Sequence, residues 1–436
     1  MATADYKANR LNANAGILIL LTVLLLIKLV IVLAALPKIN SLFPGLYNIA
    51  DFSDDYHRIA INLINGCGYR FYPDTALTLV RGPGYVMILA GLFRFFGPSL
   101  AAAQVFNIFL SALTACIIFY LARRMFKNIA LTVSAPVIFL LHPAIVFSES
   151  RAGVECLLAF FSALLVFLTY KALTGRGYWY YAAAGCALGA SLLVKSTLLL
   201  FPFFIIPVFF IYKRGKDALK RAALASVFFV AAACIVYSPW VIRNYYVTGK
   251  FAPAMTIKGT TAYQGMYINK NIFSGREYRQ LMDEATDCQA IMAQGLGLKF
   301  RDGFFQYFLS ARDEVMFDSF VFKKAMAEYA SSAPFLLRSV LFNFLGFWFQ
   351  GRTHAASCMN FILSLPLIAF SVIGAFKGYK RGPVIMLILV FSLAYILPHL
   401  LILGIARYYV PLIPLLSLLC LSAFLPAGET ERSFTI

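Results

Sequence analysis

Continuous apolar runs recur along this chain, and they constrain its fold more than any other feature. The runs at 14–36, 100–122, 129–147, 153–172, 177–212, 222–240, 356–376, 384–401 and 408–425 approach or exceed the roughly 20 residues needed to cross a hydrocarbon core about 30 Å thick. They are unbroken rather than alternating, which excludes a transmembrane β-barrel. A soluble globular domain is excluded too. Of the 436 residues, 61% are hydrophobic and 13% charged, against about 45–50% and about 25% in soluble domains. The 42 Phe and 24 Tyr suit lipid-facing and interfacial surfaces. The expected fold class is an all-α polytopic membrane protein.

Charge orients the runs. Lys7 and Arg10 precede the first. Arg123, Arg124 and Lys127 follow the second, Lys171 and Arg176 follow 153–172, and a basic cluster occupies 213–221. Lys377, Lys380 and Arg381 follow 356–376. By the positive-inside rule these connections face the cytoplasm. The alternation closes only if 83–97, which contains Arg94, and 336–350 lie at the interface instead of crossing. The stretch 177–212 is interrupted by Lys195-Ser196 and reads as two helices with a tight external hairpin, because a Lys at the bilayer centre is expensive. The reading gives about ten transmembrane helices plus interfacial juxtamembrane helices, one of them amphipathic at 56–64. The first run carries Lys28 and is too long for a cleaved signal, so it counts as a helix. A single membrane domain covers 1–436, with external loops at 37–99 and 241–355.

The net charge of +19 is spread over short loops between apolar helices. That favours anionic membrane lipids as partners and gives no basic domain for nucleic acid. Among the eight Cys, only Cys67 and Cys288 fall in external loops, where a disulfide between them is conceivable. No CxxC pair or His/Cys cluster points to a thiolate metal site.

This topology gathers the unusual polar residues on one side. Asp51, Asp54, Asp55, Arg81, Glu149, Glu155, Lys195, Arg243, His399 and Arg407 all fall at or near the external face. Charges at the edges of separate spans are costly unless they pair or line a watery cavity. Carboxylates beside several cations suit a reaction that expels a phosphate and activates a hydroxyl: cations stabilise the departing charge and a carboxylate takes the proton. Each element also has a plain structural role open to it. The Asp51–Asp55 cluster can cap the helix at Tyr56, and Glu149 and Glu155 can simply pair with Arg151 or Lys195. Arg81-Gly-Pro-Gly-Tyr85 can be a turn entering a helix, and Arg407 an interfacial anchor.

Four blocks carry a family resemblance: Asp-Asp-Tyr-His-Arg-Ile-Ala-Ile-Asn-Leu-Ile-Asn-Gly-Cys-Gly-Tyr at 54–69, continued by 81–85 and 93–97; His142-Pro143 with Glu155 twelve positions beyond the proline; Ser-Pro-Trp-Val-Ile-Arg-Asn-Tyr-Tyr-Val-Thr-Gly-Lys-Phe at 238–251; and Ala-Arg-Tyr-Tyr-Val-Pro-Leu-Ile-Pro at 406–414. In their order and spacing the chain resembles the glycosyltransferase C superfamily, in its branch of protein O-mannosyltransferases and lipid A aminoarabinose transferases. The resemblance implies a glycosyltransferase that moves a sugar, with inversion, from a polyprenyl-phosphate donor to a lipid, glycan or protein acceptor. It implies work at the external, periplasmic face of a prokaryotic plasma membrane. A first-loop Asp is then the base, open among Asp51, Asp54 and Asp55, because the family's usual position is Phe52 here. The second acid is Glu155, with Glu149 as rival. Arg81, Lys195, Arg243 and Arg407, with Tyr85 closing the Arg-Gly-Pro-Gly turn, are assigned to the lipid phosphate. Some relatives use a divalent metal and others do not; if one is held here, Asp51, Asp55 and Glu155 are its ligands. The competing function is a transporter or flippase of anionic lipid-linked substrates, though no inverted repeat supports it.

Overall fold

The computed structural model describes residues 19–42, 54–175, 177–213, 215, 217–301, 307–379 and 382–425. Asp51, Phe52, and the charges at Lys7, Arg10, Arg176, Lys380 and Arg381 lie outside them. The helices are α1 (Ile19–Ile39), α2 (Tyr56–Ile64), α3 (Pro83–Phe96), α4 (Leu100–Met125), α5 (Ile129–Leu141), α6 (Pro143–Glu149), α7 (Glu155–Thr174), α8 (Trp179–Val194) and α9 (Phe201–Tyr212). They continue as α10 (Ala218–Thr248), α11 (Lys258–Asn271), α12 (Tyr278–Gly295), α13 (Ala311–Ala330), α14 (Ala333–Phe349), α15 (His354–Gly378), α16 (Pro383–Leu401) and α17 (Ile413–Ser422). Tight 3₁₀ segments at Ser196–Leu200 and Ala406–Leu412 lead into α9 and α17. Among the described residues the sole extended pairing is an isolated antiparallel bridge, Phe300 to Phe308.

Among the described residues, six helices can cross a membrane by length and composition: α1, α4, α7, α10, α15 and α16. The number is eight if the bent pairs α5–α6 and α13–α14 each count once. Ten spans would further require shorter apolar helices such as α8 to cross. Helix α3 has 14 residues, about 21 Å of rise, which is well short of a hydrocarbon core. The segment read as 336–350 is α14, turned 113° from α13.

Lys195 does break the long apolar stretch. The chain then reverses, since Tyr181 at the start of α8 meets Phe209 near the end of α9, ring centroids 4.9 Å apart. Helix α10 runs back along α8. The break thus delivers Lys195 to a helix end instead of the helix interior.

One apolar core joins α2–α5, α7–α10 and α14–α17. A second cluster, with Tyr263, Met266, Phe317, Val321, Ala325 and Tyr329, holds α11, α12 and α13 together. The polar segment between α10 and α14 is therefore folded in its own right. It is fastened to the loop between α2 and α3 by Ala76 N–H to Phe308 O at 3.0 Å and by Thr256 N–H to Leu79 O at 3.2 Å. An Arg301–Asp74 ion pair adds to this. Cys67 and Cys288 are free thiols.

Candidate active site

The site begins with two residues in an unusual backbone state. Asp54 and Asp55 have φ of 57° and 58°, the left-handed region that Asp tolerates better than most residues but still at some cost. The consecutive left-handed pair sends the two side chains to different partners. Asp55 stands at the N-cap position of α2, yet its side chain makes no capping hydrogen bond. Its Oδ1 accepts from Arg58 Nε at 2.8 Å, and its Oδ2 accepts from Tyr307 Oη at 2.7 Å. Tyr307 packs against the Phe71 and Tyr72 rings. Asp55 therefore docks the second polar segment onto the first.

Asp54 takes the other direction. Its Oδ2 accepts from Arg407 Nη2 at 2.6 Å, and its backbone carbonyl accepts from Arg81 Nε at 2.8 Å. The same Arg407 donates through Nε to Glu155. Glu155 opens α7, where the helix dipole favours a carboxylate. Gly153 makes the approach feasible: a Cβ there would lie 2.4 Å from Glu155 Oε2 and 3.6 Å from Arg407 Nη2. Burial alone would raise the Asp54 carboxyl, but Arg407 and Arg81 outweigh it and hold the group well below the usual carboxylate range.

Three further cations surround this carboxylate–guanidinium–carboxylate bridge. Arg81 lies 5.6 Å from the Tyr56 ring centroid, Lys195 Nζ 3.9 Å from that of Tyr408, and Arg151 5.4 Å from that of Phe147. Among the described residues none of the three has a carboxylate within 4.0 Å. Burial, then repulsion from Arg407, lowers Lys195 to about 8, with Glu155 and Asp54 opposing. The Arg-Gly-Pro-Gly turn holds the Arg81 segment against the end of α8, where Lys195 follows. Gly82 packs on the end of α8, and a Cβ there would sit 2.3 Å from Leu193 O. Any side chain at 82 would push the turn away.

Asp54 and Arg407 keep side-chain exposures of 35% and 28%, so a ligand can reach the bridge. Glu149 is placed elsewhere. It forms a sealed pair with Lys28 of α1 at 2.6 Å, exposures 0% and 1%. Arg243 also points away, donating to Thr78 O at 2.9 Å between the Tyr69 and Trp240 rings. Tyr85 is fully buried, its ring edge-on to Tyr56 at 5.5 Å. His399 stacks on Tyr408 at 4.5 Å. The structure thus brings together Asp54, Glu155, Arg407, Arg81 and Lys195 and leaves Asp55, Glu149, Arg243 and Tyr85 around them.

Of the three ligands expected for a divalent metal, Asp51 lies outside the described residues, and among the described residues no three His, Cys, Asp or Glu side chains come together. The two carboxylates that do converge share a guanidinium and face cations, a donor set for an anion.

Sequence reading gave Arg151 only a structural pairing role and overlooked Tyr307, Glu314 and Asp318. Glu314 and Asp318 are buried on α13, where burial raises them to about 7 and about 6. They share a helix face with Val321 and Ala325, and acids at i and i+4 on an apolar stripe were the available signal. Asp318 Oδ1 accepts from Gly259 N–H at 2.7 Å, capping α11 from outside.

Residues 80–242 match the family model described as dolichyl-phosphate-mannose-protein mannosyltransferase. No curated protein sequence matches the chain. Among solved structures, the apo oligosaccharyltransferase of Archaeoglobus fulgidus superposes with a TM-score of 0.54 at 17% identity, over 93% of this chain and 50% of that one. The archaeal oligosaccharyltransferase AglB of the same organism, in complex with an inhibitory peptide and a dolichol-phosphate, gives 0.54 at 16% identity, over 94% and 50%. This chain therefore spans half the length of that protein. ArnT of Cupriavidus metallidurans bound to undecaprenyl phosphate gives 0.44 at 13% identity, over 92% and 77%. The chain shares its fold with the archaeal oligosaccharyltransferase, and the family model matched over 80–242 is in line with the resemblance read from the sequence.

Proposed function

We propose that this chain is an inverting glycosyltransferase that moves one sugar from a polyprenyl-phosphate donor to a lipid, glycan or protein acceptor. In this reading it works at the external face of a prokaryotic plasma membrane, and the reaction centre is the Asp54–Arg407–Glu155 bridge. The family match over 80–242 and the fold support the class. The observation that carries the site is the arrangement of charge. Two carboxylates are tied by one guanidinium, and beside them stand three cations that, among the described residues, have no carboxylate within 4.0 Å.

Asp54 accepts the acceptor hydroxyl's proton as its oxygen attacks the anomeric carbon. The bond from that carbon to the phosphate oxygen breaks, and its electron pair leaves with the phosphate. Arg81, Lys195 and Arg151 stabilise that charge. Arg407 orients Asp54 and Glu155 and keeps Asp54 ionised. A carboxylate of low basicity serves here because the hydroxyl becomes acidic only as attack proceeds. Single displacement needs no enzyme nucleophile.

The test uses purified protein in vesicles with a radiolabelled polyprenyl-phosphate sugar and mixed lipid, glycan and protein acceptors. Label passing to a new acceptor supports transfer. Label crossing the bilayer still attached to its polyprenyl phosphate supports a transporter and sinks the proposal.

A further inference from the structure

We infer that Glu314 is a positioning residue for donor-phosphate recognition, acting through Arg81; this rests on the reading of Arg81 as a phosphate ligand given above. Arg81 belongs to the loop between α2 and α3, and loop backbone is ordinarily the least fixed part of a fold. Here the segment 78–81 has a partner at nearly every polar group. Thr78 N–H donates to Tyr69 O at 3.0 Å, and Thr256 N–H donates to Leu79 O at 3.2 Å. Arg243 Nη1 donates to Thr78 O at 2.9 Å, and Tyr69 Oη donates to Arg81 O at 2.9 Å.

Glu314 is the hub of this set. Its Oε2 accepts from Thr78 Oγ1 at 2.8 Å, and its Oε1 accepts from Leu79 N–H at 2.8 Å and from Thr256 Oγ1. It is 3% exposed and stands in the first turn of α13. One carboxylate therefore joins the Arg81 segment, the turn at Thr256 and the helix of the second polar segment. A buried carboxylate is retained at a cost unless its hydrogen bonds are made. Three donors meet it here, and two of them belong to the segment that ends in Arg81. Recognition groups must be held to within a fraction of an ångström, and Glu314 supplies that hold from about 230 positions away, its partner Thr78 being 236 residues earlier.

Equilibrium binding of a polyprenyl phosphate and steady-state transfer, both in detergent, test the inference. Glu314→Ala is expected to weaken polyprenyl-phosphate binding and raise donor KM about tenfold, with kcat within about twofold and acceptor KM unchanged. Glu314→Gln, which keeps the shape and an acceptor for Leu79 N–H, should restore most of the loss. Thr256→Val, which removes one donor and leaves the carboxylate, should raise donor KM by a smaller factor and serves if Glu314→Ala does not fold. In an Arg81→Ala background the Glu314 change should have no further effect, because the two act as one unit. Equal effects of Glu314→Ala with and without Arg81, or lost stability with unchanged kinetics of the folded fraction, would overturn the inference. If Arg81→Ala itself leaves binding and transfer intact, the donor-phosphate reading fails instead.

Discussion

Arg407 Nη2 reaches Asp54 Oδ2 at 2.6 Å although the two residues stand 353 positions apart. The contact brings the last part of the chain to the first loop, and the same guanidinium also holds Glu155. Lysine keeps the charge but lacks a planar fork for two carboxylates. Arg407→Lys is therefore expected to lower kcat/KM about a hundredfold while the protein still purifies folded. Normal kinetics in that variant would show that the bridge has no role in transfer.

Asp55 has both oxygens engaged, by Arg58 and Tyr307. Its role is to fasten the second polar segment to the first. Asp55→Asn and Tyr307→Phe should each lower thermal stability in detergent and leave kcat within about fivefold of wild type. Their double variant should be less destabilised than the sum of the singles, with a coupling of about 0.5–3 kcal/mol. Loss of transfer in Asp55→Asn comparable to that of Asp54→Asn would assign the base to the wrong residue.

The pH dependence follows from Lys195, which burial and Arg407 lower to about 8. The charged form binds the phosphate and exists below that value, so donor KM should rise as pH climbs from 7 to 9. Lys195→Arg, whose guanidinium stays protonated throughout, should flatten the rise. A donor KM independent of pH in wild type would remove Lys195 from the phosphate site.

Lys28 and Glu149 form a sealed pair between α1 and α6. Removing one partner leaves a buried charge, so Lys28→Met should cost about 3–5 kcal/mol, whereas Lys28→Met with Glu149→Leu should recover much of it. Thermal unfolding in detergent reads the difference. The double variant should retain transfer, since Glu149 does not reach the Arg407 bridge; lost activity in a stable double variant would restore Glu149 as a candidate.

Much of this was legible because apolar runs and flanking charges act locally. The runs gave α4, α7, α15 and α16 nearly to their ends, while α10 continues past its run at 222–240 to Thr248. Lys195 inside an apolar stretch announced a break, because a buried ammonium needs a helix end or a partner. The Arg-Gly-Pro-Gly sequence announced a turn, but not that Gly82 rests on Leu193 O. What stayed hidden depended on three-dimensional pairing. Nothing local separates Asp54 from Asp55; their successive left-handed conformations do, one facing Arg407 and the other Tyr307. Glu149 and Glu155 read alike in sequence until α1 supplies Lys28 to the first. Glu314 lies in the external segment 241–355, and its partners lie in two loops far from it.

The central claim is that Asp54 takes the acceptor proton within the Arg407 bridge. Its most direct test is single-turnover transfer from a radiolabelled polyprenyl-phosphate sugar by wild type and Asp54→Asn, both saturated with donor and acceptor. The account predicts a fall in the transfer rate of about 10²–10⁴-fold, with polyprenyl-phosphate binding within a few-fold of wild type. A transfer rate in Asp54→Asn equal to that of wild type would contradict it.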